Sequence, residues 1–480
     1  MKKGLSNFVG VGLLLVFGNA ISTYPQMAAT SAKGQYLVEF RGNRLPSDLA
    51  ARVANLGGTI VDTMPEIKVA IVGNINDDQA AILRAQSDVS DVTTDEIVQS
   101  PARSMRRVDT VDFSVASPMS ATNPEGAKYY PRQWDKHAIK ADAAWHAGMF
   151  GSPDVRVAII DSGVDPTHPD LVGLVDPTRS TSFCPNDDAI VAQQFPGYPA
   201  WTDLYGHGTA TASIVSSNAA KLAGVTSRTS IMAIRVLGIT PCRQSGLFRG
   251  IYYATDHGAD VINLSLGPAF AYPRAGEKGF LHYYHLAVQY ALVKGVSAVV
   301  VAAGNDSFDF DHSGNLQFWF CDTPGVICAS ATGPTDSGPM LTGPFVDVDA
   351  PAFYTNFGAS AIDVAAPGGN LKFDSDGNIA GAGWVYTACA STDRDFDQFG
   401  NVIPGLCSSG GYTIENQLGT SFAAPHVAGL AALLVAKLGH GHAAQVKAAI
   451  ENSADDLGKP GVDPYYGKGR INIAQALGLR

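Results

Sequence analysis

Ser421 stands in the run LGTSFAAPHVAG (residues 418–429), where a hydroxyl is followed by a histidine, His426. A serine hydroxyl is a weak nucleophile near neutral pH and needs an adjacent base to take its proton. The residues after it, FAAPHVAGLAALLVAKLG, are apolar on nearly every side, which predicts a helix buried all round rather than an amphipathic surface helix. Helix onset then falls near Ser421, at the positive end of the helix dipole. Pro425 is expected in the first turn, where its missing N–H is not needed. His426 lies further along that helix, rotated away from the serine, whereas a base must come within about 3 Å of the proton it takes. The base has to come from elsewhere in the chain.

Candidates for it sit just past apolar runs. Asp161 ends VRVAIID before a Ser162-Gly163 turn, while Asp165, His168 and Asp170 in VDPTHPDL lie beyond that turn. His207 stands between Gly206 and Gly208 in YGHGTATASIV, ahead of small residues that can pack closely as a helix. Taken singly these are weak signals, since a histidine serves structure as readily as chemistry and an aspartate after a strand can cap a helix. Asn305 ends VVVAAGN and could equally serve turn geometry before Asp306.

The elements that must position these residues are legible. VRVAIID, SIMAIRVLG, DVINLSLG and VSAVVVAAGN are continuous β-branched runs, as expected of parallel strands covered on both faces. Helical stretches lie between them, around 250–257 and 282–294. The expectation for 129–480 is an α/β domain with a doubly wound parallel sheet, in which residues just beyond the strands' carboxyl ends line the ligand crevice. Ahead of it, 35–99 reads as strand, helix, two strands, helix and a closing strand in VSDVTTDEIVQ, a small α+β unit of ferredoxin-like order. Residues 100–128 hold Pro, Ser, Gly and arginines without a sustained period, and read as a linker or processing region. Residues 1–32 read as a signal peptide: Lys2 and Lys3, a short apolar run from Val9 to Phe17, then small residues, with cleavage anywhere from 20 to 32. The expected location is therefore extracellular.

Composition closes off other classes. The chain has 480 residues, 46% hydrophobic and 16% charged, with a net charge of −11, so nothing favours nucleic acid or an anionic membrane as partner. Six cysteines in an exported chain suggest three disulfides, and no CxxC pair argues for metal. Nearest pairings give Cys321–Cys328 and Cys389–Cys407, leaving Cys184–Cys242, although spacing alone does not fix connectivity.

Asp161 in DSGVD, His207 in GHGT and Ser421 in GTSFAAPHVAG together resemble the subtilisin-like serine proteases, the subtilases. The chain order Asp, His, Ser separates that family from other triad enzymes. The resemblance runs from QWDKHAIKADAAW to GKGRINIAQAL, and 35–99 resembles the family's propeptide, an intramolecular inhibitor. It implies that His207 is the base for Ser421, that Asp161 orients the imidazole, and that Asn305 donates to the oxyanion. Ser265, Leu266 and Gly267 in LSLG, with Ala303 and Gly304 in AAGN, would line the substrate pocket. In relatives LSLG is an edge to which extended peptide adds as a strand, so recognition would be largely main-chain. Asp170 matches a calcium-ligating position in many relatives, but SSNAAKLAGV is short for the calcium loop. A capping carboxylate is the expectation there, with no metal site and no cofactor for the chemistry. The implied molecule is a monomeric serine endopeptidase acting on proteins and peptides.

Overall fold

In the computed structural model the described residues are 34–98, 100, 106–108, 120–267, 272–273, 278–314, 316–317, 320–338 and 341–479. The expected signal peptide lies outside them, as does most of the segment 100–119.

The small N-terminal unit comprises β1 (Gly34–Phe40), α1 (Leu49–Asn55), β2 (Thr59–Met64), β3 (Val69–Ile75), α2 (Asp77–Arg84) and β4 (Val89–Thr94), with sheet order β2-β3-β1-β4. Strand alternation gives this sheet two apolar faces. Tyr36, Val38, Phe40, Ala70 and Val72 form the unit's own core with Leu49, Val53 and Leu83 from the helices. Leu37, Val69 and Ile71 point the other way and join a cluster of the large domain. The sheet is thus clad by its own helices on one side and by the large domain on the other.

The closing strand expected in VSDVTTDEIVQ divides in two. After β4 the chain leaves the small sheet, and β5 (Ile97–Val98) pairs with a strand of the large domain instead. Further on, β6 (Arg106–Val108) forms a strand within the segment read as irregular.

The large domain continues with β7 (Arg156–Asp161), β8 (Thr181–Ser182), α3 (Pro185–Gln194), α4 (His207–Val215), β9 (Ser230–Arg235), β10 (Cys242–Arg243), α5 (Ser245–Asp256) and β11 (Val261–Leu264). Then follow α6 (Lys278–Val293), β12 (Ala298–Ala302), β13 (Ile327–Thr332), β14 (Val364–Pro367), β15 (Val385–Ala388), β16 (Ile414–Gln417) and α7 (Thr420–Leu438). Seven strands form one parallel sheet in the order β14-β13-β12-β11-β7-β9-β8. Its alternating residues feed two cores. Val157, Ile159, Ile231, Ala233 and Val300 pack with α7, whereas Ala158, Ile160, Ile234, Ile262 and Val301 pack with α5 and α6. Both faces are covered, which is why these strands read as unbroken apolar runs. The α/β doubly wound expectation holds.

Helix α7 is long and apolar enough to cross a membrane by composition, yet its apolar window is 78% buried in the protein. It is the central core helix. The three disulfides are Cys184–Cys242, Cys321–Cys328 and Cys389–Cys407, the pairing that nearest neighbours suggested.

Candidate active site

Asp161 closes β7 and is fully buried, and His207 opens α4 at the same end of the sheet. The Nδ1–H of His207 donates to both Asp161 oxygens, at 2.8 and 2.9 Å. Since Nδ1 faces carboxylate oxygens it carries the proton, and Nε2 keeps its lone pair. The helix can start this close to β7 because residue 208 is glycine: a Cβ there would stand 2.1 Å from the Gly163 carbonyl oxygen.

A second buried acid, Asp203, builds the turn that carries His207. One of its oxygens accepts from the N–H groups of Tyr205 and Gly206 and from the Ser162 hydroxyl, the other from the N–H and hydroxyl of Thr209. Ser162 Oγ in turn accepts from the Gly208 N–H at 2.8 Å. Asp203 therefore acts as a cap for α4 and ties it to the turn after Asp161. The sequence reading passed over it, although an acid shortly ahead of a helix start is a recognisable capping signal.

Burial is the largest single influence on the His207 ring and opposes its charged form. The Asp161 carboxylate outweighs it, with help from Asp203 and Glu415, and the net effect raises the pKa above the ordinary histidine value.

Ser421 is the second residue of α7, half-buried, and the ring of its neighbour Phe422 lies 5.5 Å from the His207 ring. The helix N-terminus is thereby set beside the imidazole. Pro425 corrects one expectation. It is not in the first turn, because α7 begins at Thr420, so the proline removes the N–H that would have bonded the Ser421 carbonyl. That carbonyl accepts from the Ser265 hydroxyl instead, at 2.7 Å, and Ser265 Oγ accepts from Asn263 Nδ2 at 2.8 Å. The strand end at 263–265 thus repairs the helix at the serine.

Asn305 lies just beyond β12 and is exposed. Its Oδ1 accepts from both the N–H and the hydroxyl of Thr420, each at 2.9 Å, and the Thr420 hydroxyl accepts from the Gly304 N–H at 3.0 Å. With the oxygen engaged, the amide NH₂ is the half presented beside Gly419 at the start of α7. Thr420 is the residue that orients it, and the sequence reading did not single Thr420 out. An amide held this way is suited to donate to an oxyanion. Asn305→Ala is expected to lower kcat about 10²–10³-fold with little change in KM, a magnitude carried over from the corresponding loss in subtilisin. Steady-state kinetics on a peptide substrate checks it, and an effect confined to KM would assign Asn305 to ground-state binding.

The remaining expected site residues surround this centre. Ser265 is buried, Leu266 is half-buried and Gly267 exposed. Ala303 is buried with its carbonyl held by Asn356 Nδ2 at 2.9 Å, and Gly304 is half-buried. Pro268 lies outside the described residues. A further edge, β10, was not foreseen. It pairs antiparallel with β5, Cys242 opposite Val98 and Arg243 opposite Ile97.

His426 is in the core, not in the crevice. It is fully buried, its Nδ1–H donates to the Phe422 carbonyl at 2.8 Å, and its Nε2 meets the buried Asp135–Lys136 pair. Asp170, the candidate calcium ligand, has Oδ1 accepting from the Ser217 hydroxyl and the N–H groups of Lys221 and Leu222. Through this oxygen Asp170 caps the 217–222 turn, while its Oδ2 is buried with no hydrogen-bond partner among the described residues.

The subtilase family model matches residues 152–469. Thermitase from Thermoactinomyces vulgaris is 31% identical over 358 residues, covering 74% of this chain and 99% of thermitase. An alkaline protease from Alkalihalobacillus alcalophilus is 27% identical over 480 residues, covering 99% of this chain and all of its own length (100%). Among solved structures, a lanthipeptide protease superposes with a TM-score of 0.56 at 27% identity, over 73% of this chain and 96% of its own. The epidermin leader peptide processing serine protease of Staphylococcus aureus superposes with a TM-score of 0.65 at 22% identity, over 93% of this chain and 98% of its own, a likeness of fold. A doubly wound sheet with an Asp–His pair at its carboxyl edge and a serine opening the core helix, matched over two-thirds of the chain by one family, places this protein in the subtilase family of serine peptidases.

Proposed function

We propose that the protein is a secreted endopeptidase that hydrolyses peptide bonds through an acyl-enzyme, is made as a zymogen, and cuts itself free of residues 35–99. In this reading His207 takes the Ser421 proton and later donates it to the leaving amine. Asp161 holds the imidazole in the tautomer required, and Asn305 with the Ser421 N–H stabilises the tetrahedral oxyanion. The chemistry needs no cofactor. Main-chain recognition along Ser265, Leu266 and Gly267, with Ala303 and Gly304 nearby, suits broad specificity.

The observation that carries the zymogen reading is the path of the chain. Upstream, β5 lies on β10; downstream, β6 pairs antiparallel with β16, with Arg106 opposite Gln417, four residues before Ser421 (421 − 417). Both edges belong to the large domain, so the chain on either side of residues 99–105 is engaged with the domain that carries Ser421. The small unit is further docked by Asp95, whose Oδ1 and Oδ2 accept from the N–H and hydroxyl of Ser245 at the start of α5. The linker between about Gln99 and Lys128 is then the place of the cut, after which the small unit is held only non-covalently.

The experiment is to express Ser421→Ala beside wild type. The variant is expected to accumulate as uncut precursor, and isolated 35–99 is expected to inhibit the mature enzyme in trans. An active enzyme that keeps the unit covalently attached, with no inhibition by the isolated unit, would contradict the reading. The likeness to a lanthipeptide protease, and in fold to an epidermin leader peptide processing protease, favours a second one, a dedicated enzyme acting on a single partner. Turnover of a mixture of unstructured peptides separates the two: many cuts support broad digestion, and a single cleaved sequence supports processing.

A further inference from the structure

Helix α3 lies outside the site described above, yet its first turn is devoted to the strand edge that receives β5. Cys184, immediately before Pro185 at the helix start, is bonded to Cys242 of β10, with Cα atoms 5.2 Å apart. Asp187, fully buried, accepts from the N–H groups of Ile239 and Thr240 at 3.0 and 2.9 Å and from the Thr240 hydroxyl. A Cβ on residue 238 would stand 1.9 Å from an Asp187 oxygen, so Gly238 is what lets the carboxylate sit against this loop. Asp188 accepts from the Ser182 hydroxyl at 2.6 Å and pairs with Arg235 at the end of β9.

The loop joining β9 to β10 therefore has its inward N–H groups held by α3, while its outward groups face the incoming chain. Gly238 exchanges hydrogen bonds with Ser100, the Gln244 N–H donates to the Glu96 carbonyl at 2.9 Å, and the Arg243 guanidinium donates to the Asp95 carbonyl at 2.7 Å. A two-residue strand has no stability of its own. Its register must be imposed from behind, and the disulfide and Asp187 are what stand behind it.

We propose that α3, through the Cys184–Cys242 disulfide and Asp187, is a positioning clamp that holds β10 in register for the substrate residues upstream of the scissile bond. Extended peptide, bound by its backbone, is the ligand of this edge. The clamp acts on how far upstream recognition reaches, and not on the bond-breaking groups. It rests on the proposed peptidase function, and adds that β10 receives extended substrate as it receives β5.

The test uses the mature enzyme and two peptide series, one with two residues upstream of the cleaved bond and one with five. Wild type is expected to gain at least tenfold in kcat/KM on extension. Cys184→Ser/Cys242→Ser is expected to lose most of that gain through a KM raised about tenfold on the long peptide. Asp187→Asn, which keeps the disulfide, should lose part of the gain and provides the test if the double variant does not fold. If loss of the disulfide lowers the melting temperature and leaves the length dependence intact, the disulfide only stabilises the fold and the clamp is overturned. If extension gives wild type itself no gain, the edge does not bind substrate, and the reading on which the clamp rests fails first.

Discussion

Ser421→Ala and His207→Ala are each expected to lower kcat by about 10⁴–10⁶-fold on a peptide substrate, with KM changed little. On the proposed mechanism hydroxyl and imidazole act as one unit, so the double variant should be scarcely worse than either single one. The structure places the reason on view: the His207 Nδ1–H is committed to Asp161, and Nε2 is the nitrogen left to act as base. His426→Ala is the control. That ring sits in the core among Asp135, Lys136 and the Phe422 carbonyl, so its loss should appear as lowered stability. A rate lost with His426→Ala in a folded protein and kept with His207→Ala would reverse the assignment.

Asp161→Asn is the second large effect. An asparagine can offer its NH₂ to Nδ1 and so favour the tautomer with the proton on Nε2, which cannot accept from Ser421. A fall in kcat of about 10⁴ is the usual size of that fault in triad enzymes. The pH profile carries separate information. The base works neutral, so kcat/KM should fall as pH drops through the His207 pKa, which lies above the ordinary histidine value. Burial, the largest influence, pulls that pKa down, and the Asp161 carboxylate is the main influence that lifts it. Removing the carboxylate charge should therefore move the acid limb to lower pH, with Asp203 and Glu415 retaining part of the lift. A limb that stays in place would mean another group sets it.

Much of this was legible in the residues alone, for a physical reason. Parallel strands buried on both faces are apolar at nearly every position, so β7, β9, β11 and β12 announced themselves, and the residues ending them marked the crevice. The small unit was readable because each of its strands and helices alternates with its own period. What escaped is set by partners far away in sequence. Ile97–Val98 reads as a continuation of β4, and only β10 turns it into a strand of the other domain. Arg106–Val108 is too short to carry a period and takes its form from β16. Thr420 looks like any residue before a nucleophile until Asn305 and Gly304 are seen to share its hydroxyl. Pro425 lies past the four N–H groups that a helix start leaves free even for onset at Ser421, so the Ser421 carbonyl loses a partner, and the compensating bond comes from Ser265.

The central claim is that Ser421 is a nucleophile activated by His207. Its most direct test is covalent capture: the mature enzyme is treated with a fluorophosphonate and the modified peptide is mapped by mass spectrometry. The account predicts one stoichiometric adduct on Ser421 in wild type, and its near absence at the same exposure in folded His207→Ala. An adduct on another residue, or labelling of Ser421 at an undiminished rate without His207, would contradict it.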